Sequence, residues 1–150
     1  MKRILFIIIS GILILPPITA QNKSTEDKQS QAIISLIDQY SLAREKQDTL
    51  LLKRILTDDV DQLVSSGEWR MGIGEAVKGM LQSSQGNPGS RKLIVDKIRF
   101  LDAKNGIADA RYEIQNPDGT IRRMWSTFIV VHQKGSWKIA GIRNMLPTGR

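Results

Sequence analysis

The chain has 150 residues, no cysteine, one histidine and a net charge of +7, from 22 basic and 15 acidic side chains. The absence of cysteine excludes disulfides, thiolate catalysis and cysteine-based metal centres. The length suits a single domain with one hydrophobic core. Residues 91–150 hold 12 basic and 5 acidic side chains. These basic residues alternate along predicted strands and no recognition motif accompanies them, so nucleic acid is not an expected partner.

Residues 1–20 have the layout of a secretory signal. Lys2 and Arg3 form a positive head, an apolar run follows, and Ala20 offers a small residue at a cleavage point. The apolar run is about a dozen residues long, whereas a membrane-spanning helix needs about 20. We therefore predict cleavage after Ala20, export to the periplasm or the medium, and no membrane contact after cleavage. Residues 21–30 are expected to form a flexible tail and residues 31–147 the folded domain.

Three helices are predicted in the first half of the domain. Apolar residues recur every three or four positions over 33–43, which is typical of a helix with one buried face. Asp48 is expected to cap a second, short helix, which Thr57, Asp58 and Asp59 end. Gly72 or Gly74 begins the third helix.

Six strands are predicted around and after the third helix. The first two are short, and the last four are separated by tight polar turns. Helices followed by such a meander predict an α+β cone, in which helices pack on a strongly curved, mainly antiparallel six-stranded sheet. A small molecule would sit between the two layers. The predicted strands cover residues 60–64, 68–71, 92–101, 107–115, 120–132 and 136–145.

The predicted turns indicate which side chains share a face. A four-residue turn at 116–119 places Tyr112 opposite Arg123. A four-residue turn at 133–136 places His132 opposite Trp137 and Trp125 opposite Asn144. These pairings predict one face that carries Tyr112, Arg123, Trp125 and Asn144. Because both faces are rich in apolar side chains, we expect a second subunit to cover the outer one and form a homodimer.

Several segments together resemble a known family. They read Thr57-Asp-Asp-Val-Asp61, Gly67-Glu-Trp-Arg-Met-Gly72, Met124-Trp-Ser-Thr-Phe-Ile-Val-Val131 and Trp137-Lys-Ile-Ala-Gly-Ile-Arg-Asn144. Their order and spacing look like the NTF2-like superfamily, and more narrowly its SnoaL-like, SgcJ/EcaC-type branch. The resemblance implies a cone-shaped α+β barrel with a pocket, commonly dimeric through the sheet. The superfamily contains isomerases, cyclases, dehydratases, epoxide hydrolases and binding proteins, so fold does not decide function.

The sequence shows no cofactor or metal motif. The paired histidines of the dehydratases are absent, since His132 is the one histidine. Gly72-Ile-Gly74 is not a nucleotide loop, because no Lys-Ser/Thr pair follows it. We therefore expect no cofactor and no metal, and the resemblance transfers no catalytic residue.

Two carboxylates are weak candidates for a general base. Asp61 and Asp109 could abstract a proton at the mouth of the cone. The alternative is that Asp61 is a solvated strand residue and that Asp109 pairs with Arg143. The sequence alone favours these structural roles.

The expected ligand-binding residues are aromatic and basic. Trp69, Tyr112 and Trp125 could stack on a ligand or pack in the core. Asn144 is the polar group expected beside them. Arg123 and Arg143 are expected to attract an acid, Arg143 through its planar fork.

Three functions remain open on these residues. The leading one is an exported, dimeric domain that binds a small apolar or acidic metabolite in the cone pocket. The second is an isomerase, cyclase or hydrolase that uses a pocket Asp as general base. The third is a dimerisation scaffold whose pocket is filled, with Trp69 and Trp125 closing it. A buried carboxylate facing a cavity would favour the second.

Overall fold

A computed structural model describes residues 18–87 and 89–147 of the chain. Most of the predicted signal segment lies outside the described residues. Within the described part, no helix is long and apolar enough to cross a membrane. The helices are α1 (Ile18–Glu45), α2 (Thr49–Ile55) and α3 (Gly72–Gly86), and the strands are β1 (Leu56–Leu63), β2 (Trp69–Met71), β3 (Ser90–Phe100), β4 (Asn105–Gln115), β5 (Ile121–Gln133) and β6 (Ser136–Met145).

The first two helices follow the predicted pattern except at their ends. Residues 21–30, expected to be a flexible tail, belong to α1, and those from 23 to 28 are exposed. The cap of α2 is confirmed, because the Leu51 N–H donates to Asp48 Oδ1 at 2.9 Å. Thr57 to Asp59 do not end this helix as predicted. They lie within β1, where Thr57 is buried and Asp58 and Asp59 are exposed.

The six strands form one mixed sheet in the order β2-β1-β6-β5-β4-β3. The β1–β6 pair is parallel and the other neighbours are antiparallel. This confirms the predicted α+β architecture with a mainly antiparallel six-stranded sheet. The three described helices, α1, α2 and α3, pack on one face of the sheet, which we call the inner face, and none of them covers the other, the outer face.

The predicted register of β4 and β5 is wrong by one residue. Tyr112 lies opposite Met124 rather than Arg123, and Trp125 lies opposite Arg111. The turn has five residues rather than four, because the Asn116 N–H donates to the Thr120 carbonyl at 2.8 Å. A slip of one residue moves every side chain of a strand to the other face. Trp125 and Arg123 therefore lie on the outer face, while Tyr112 lies on the inner one.

The β5–β6 hairpin agrees with the prediction near its turn and departs from it further along. His132 lies opposite Trp137 as predicted. A register shift between Ile129 and Val130 then places Asn144 opposite Ser126 instead of Trp125. Ser126 is buried on the inner face, so Asn144 shares that face with Tyr112.

The hydrophobic core lies between α1, α2, α3 and the inner face. Its α1 side comprises Ile33, Ile37 and Tyr40, which recur at the three- and four-residue spacing of a helix face. The Tyr40 ring meets Phe128 of β5 edge to face, with centroids 5.5 Å apart. This packing fixes the end of α1 over the middle of the sheet and so positions the residues that follow Tyr40.

Candidate functional site

A small cavity lies between α1, α3 and the inner face, and we call it the cone cavity. Its volume is about 180 Å³. The lining is dominated by hydrogen-bond donors: guanidinium, amide and hydroxyl groups. Among its described lining residues, none is Asp or Glu. The lining residues are Arg44, Gln62, Val64, Ser65, Ser66, Arg70, Ser83, Asn87, Tyr112, Ile114, Arg122, Met124 and Asn144.

Arg44 projects from the last turn of α1 and is only 5% exposed. Its Nη1 donates to the Tyr40 hydroxyl at 3.1 Å and its Nη2 to Ser83 Oγ at 3.3 Å. Its buried Nε has no hydrogen-bond partner. No carboxylate among the described residues pairs with this guanidinium. A buried charge without a counter-charge is costly, and an anion bound beside Arg44 would offset that cost.

Tyr40 supplies no negative charge to Arg44. Burial raises the pKa of the Tyr40 phenol above its usual 10.0, and the neighbouring Arg44 only partly opposes this shift. At neutral pH the phenol is therefore an uncharged hydrogen-bond acceptor. It orients the Arg44 guanidinium without neutralising it.

Arg70 enters the cone cavity from β2, and its side chain is 13% exposed. Nε donates to Glu68 Oε1 at 3.1 Å and Nη1 donates to Gln62 Oε1 at 3.3 Å. Its guanidinium lies against the backbone of α3 at Gly79. A Cβ at position 79 would stand 2.3 Å from Arg70 Nε and 2.5 Å from its Cζ. Gly79 thus leaves the space that the Arg70 side chain occupies.

Arg122, near the start of β5, is the third cation of the cavity. Its Nη1 donates to Asn87 Oδ1 at 3.1 Å, while its buried Nε has no partner. Asn87 is held in turn by Arg91, whose Nη2 donates to the Asn87 carbonyl at 2.6 Å. The segment after α3 therefore positions Arg122 at the cavity.

Asn144 adds a neutral donor. Ser126 Oγ donates to Asn144 Oδ1 at 2.7 Å, so the carbonyl of this amide is occupied and its NH₂ group can donate. The Gln62 and Asn87 carbonyls already accept from Arg70 and Arg122. The cone cavity thus presents mainly donors, and a ligand with several acceptor oxygens complements it.

The structure separates the predicted ligand-binding residues into two groups. Tyr112 and Asn144 line the cone cavity, as expected of one face. Trp69, Trp125, Arg123 and Arg143 lie outside it; Trp69 is 50% and Trp125 43% exposed. For Trp125 and Arg123, the expected role as pocket walls rested on the register that β4 and β5 do not have.

The two candidate bases also lie outside the cone cavity. Asp61 forms a two-pronged ion pair with Arg143, at 2.8 and 3.0 Å, and the Arg143 guanidinium lies 4.7 Å from the centre of the Trp69 ring. Asp109 accepts from Thr127 Oγ1 at 2.6 Å. The predicted pairing of Arg143 with Asp109 is wrong, because Arg143 pairs with Asp61.

Sequence reasoning missed the three arginines of the cavity. Arg70 and Arg122 carry no local signal that separates them from ordinary strand residues. Arg44 does carry one, because it continues the spacing of Ile33, Ile37 and Tyr40 and so lies in line with the buried face of α1. A charge at a core position of a helix indicates a partner or a ligand.

A larger groove of about 640 Å³ lies between α1, α2 and the β5–β6 turn. His132 and Trp137 line it, with ring centroids 5.3 Å apart. Its cationic residues, Lys28 and Arg54, are exposed, so water solvates them. The cone cavity is the stronger candidate because its cations are withdrawn from water. In the described residues, no cluster of three or more His, Cys, Asp or Glu could hold a metal ion.

No protein-family model matches this chain, and no curated protein does. Solved structures match it in fold. An NTF2-like protein with a cystatin-like fold from Novosphingobium aromaticivorans is similar with a TM-score of 0.73 and 16% identity, over 93% of this chain and 94% of that one. A domain of unknown function with a cystatin-like fold from Nostoc punctiforme is similar with a TM-score of 0.72 and 17% identity, over 80% of this chain and 78% of that one.

An NTF2-like superfamily protein from Salmonella enterica is similar at a TM-score of 0.67 and 15% identity, over 83% of this chain and 94% of that one. Identities this low show the fold alone. The chain has the NTF2-like, cystatin-like fold that its sequence motifs led us to expect.

Proposed function

We propose that this protein binds a small anionic metabolite in the cone cavity. The observation that carries the proposal is Arg44, a buried guanidinium whose Nε is unpaired and that no carboxylate of the described residues contacts. Arg70 and Arg122 extend the positive field, and Asn144 adds a neutral donor. Charge-assisted hydrogen bonds from guanidinium to an oxyanion are short and strong, and this arrangement supplies several of them.

The cavity volume sets the size of the ligand. One water occupies about 30 Å³ of the liquid, so 180 Å³ corresponds to about six waters. A short carboxylic acid or a single phosphate group fits this space, whereas a steroid or polyketide ring system does not. Of the two ligand classes expected from the sequence, apolar or acidic, the lining favours the acidic one.

Binding is better supported than catalysis by a carboxylate base. Asp61 and Asp109 lie on the outer face and are engaged by Arg143 and Thr127. A general base must lie within hydrogen-bond reach of the proton that it removes. A scaffold with a filled pocket is also less well supported, because the two tryptophans expected to fill it, Trp69 and Trp125, lie outside the cone cavity.

Export, dimerisation and the branch of the family are part of the same proposal. The signal layout of residues 1–20 supports a periplasmic or secreted protein. Exposed apolar side chains on the outer face, such as Ile121, Trp125 and Met145, support a homodimer through that face. The motif order quoted above supports the SnoaL-like, SgcJ/EcaC-type branch.

Calorimetry of the purified mature protein tests anion binding. The probes are propionate, malonate and methyl phosphate, in a buffer of low ionic strength because salt screens such contacts. We expect at least one probe to bind wild type and to raise its thermal stability; a ligand at 100 times its Kd adds about 2.7 kcal/mol.

Arg44→Met is the informative variant. Because no described carboxylate pairs with Arg44, the change to an apolar side chain of similar length leaves no buried anion behind, so the variant should fold and lose the anion response. Arg123→Gln is the matched control, since Arg123 lies on the outer face and pairs with Glu113. Loss of binding in Arg123→Gln with full binding in Arg44→Met would overturn the proposal.

A further inference from the structure

We infer that the ligand of the cone cavity is a compact dianion, either a short dicarboxylate or a phosphate group, rather than a monocarboxylate. The inference rests on the proposed function and adds the charge of the ligand to it. The observation behind it is the imbalance between the three guanidiniums of the cavity and the carboxylates around them.

Glu68 is the one carboxylate that pairs with any of the three arginines within the described ranges, and it pairs with Arg70. Arg44 and Arg122 have no acidic partner there. Two of the three positive charges are therefore uncompensated. The Glu68 side chain is 61% exposed, so water weakens even the compensation that it gives.

The number of free N–H donors on Arg44 and Arg122 also favours a dianion. A guanidinium carries five N–H donors and no acceptor. Arg44 uses two groups, on Tyr40 and Ser83, and Arg122 uses Nη1 on Asn87, which leaves the Nε of both unpaired. A single carboxylate has two oxygens to offer these donors. A dicarboxylate has four and a phosphate monoester has three unbridged oxygens, which match the supply better.

Gly79 leaves the space in which the Arg70 guanidinium lies. Glycine in a helix interior costs about 1 kcal/mol relative to alanine, yet Gly79 is buried within α3. Its missing Cβ is what allows the Arg70 guanidinium to lie between β2 and α3. Arg70 therefore adds a third guanidinium to the cavity, and we assign the two negative charges of the ligand to the two arginines without an acidic partner among the described residues, Arg44 and Arg122.

The test compares probes that differ in charge and little in size. Propionate and malonate have the same number of carbons and carry one and two charges at pH 7.5. We expect malonate or methyl phosphate to bind wild type at least tenfold more tightly than propionate. Methyl phosphate has a second pKa of about 6, so its affinity should rise as pH increases from 5 to 7.

The dianion that binds more tightly identifies the chemical group that carries the two charges of the ligand. Malonate alone indicates a dicarboxylate, and methyl phosphate alone indicates a phosphate group. Arg122→Gln should reduce the ratio of malonate to propionate affinity towards one, a change that a merely structural role for Arg122 would not produce. Glu68→Gln should tighten dianion binding about two- to fivefold, the effect of one exposed ion pair.

Three results separate the possible failures. Equal affinities for propionate and the dianions would overturn the dianion inference and leave anion binding intact. If Glu68→Gln weakened the binding of the dianions, the count of uncompensated positive charges in the cavity would be overturned. No binding of any probe by wild type would overturn both the inference and the proposed function.

Discussion

Gly79→Ala should impair anion binding while lowering the stability of the fold only slightly. The new Cβ would stand 2.3 to 2.6 Å from three atoms of the Arg70 side chain, which is closer than real contacts allow. The Arg70 side chain is flexible, so it can leave its place rather than distort α3. Leaving means losing the hydrogen bonds to Glu68 and Gln62.

The two contributions to stability partly cancel. Alanine in a helix interior is favoured over glycine by about 1 kcal/mol. The lost hydrogen bond from the Arg70 guanidinium to Gln62 contributes about 1.5 kcal/mol, and the ion pair with the exposed Glu68 about 0.5 kcal/mol. We therefore expect the free energy of unfolding to fall by only about 1 kcal/mol and the anion affinity to fall about ten- to a hundredfold, since a hydrogen bond to a charged group contributes about 1.5–3 kcal/mol.

Gly74→Ala is the matched control on the same helix. A Cβ at Gly74 would have no atom within 4 Å, so this variant should gain about 0.5–1 kcal/mol and bind malonate or methyl phosphate like wild type. Urea unfolding and calorimetry measure the two quantities. If Gly79→Ala gained as much stability as Gly74→Ala and kept full affinity, Arg70 would not occupy the position assigned to it.

The remaining predictions concern the hydrophobic core, the pH dependence of the free energy of unfolding at alkaline pH, and the outer face. Phe128→Ala should cost about 3–5 kcal/mol in urea unfolding, because Phe128 is fully buried and packs against Tyr40; a cost below 1 kcal/mol would contradict the described core. The pKa of Tyr40 is raised in the folded state, so its contribution to stability is complete below pH 10 and is lost as pH rises through the folded pKa; Tyr40→Phe should flatten that decline. Trp125→Ala should leave anion affinity unchanged and weaken self-association in light scattering, whereas lost anion affinity would return Trp125 to the binding site.

The fold could be predicted because each of its elements has a local cause in the sequence. The spacing of apolar residues marked α1 and α3, Asp48 marked the start of α2, and alternation with polar turns marked the last four strands. The packing of the helices on a curved sheet, with a pocket between the two layers, then followed from the family resemblance, whereas the parallel β1–β6 pair was not predicted. None of these features depends on the exact register of a hairpin.

The site could not be predicted in the same way, because it depends on register and on distant residues. Thr120 belongs to the 116–120 turn, where Asp118 Oδ1 accepts from the Thr120 N–H at 2.9 Å, and this single residue moves Trp125 to the outer face. The register shift beside Ile129 has no marker in the sequence. The two register errors cancel for Tyr112 and Asn144, which share one face of the sheet as predicted.

The basic lining was missed for a related reason. Its three arginines come from α1, β2 and β5, far apart in the chain, and Arg70 and Arg122 look like ordinary strand residues on their own. The three share one cavity whose described lining residues include no Asp or Glu, and this becomes visible only when the elements are packed. Arg44 alone could have been found, from its place in line with Tyr40 on the buried face of α1.

The most direct test of anion binding in the cone cavity is an NMR titration of the arginine Nε–H cross-peaks, assigned by single Arg→Lys variants, with malonate and with methyl phosphate. The Nε–H groups of Arg44 and Arg122 have no partner in the structure, so a bound oxyanion changes their surroundings most. We predict that both cross-peaks, with that of Arg70, shift with one saturation curve while those of Arg123 and Arg143 stay in place. Shifts confined to Arg123 and Arg143, with Arg44 and Arg122 unmoved at saturation, would contradict the cone cavity as the binding site.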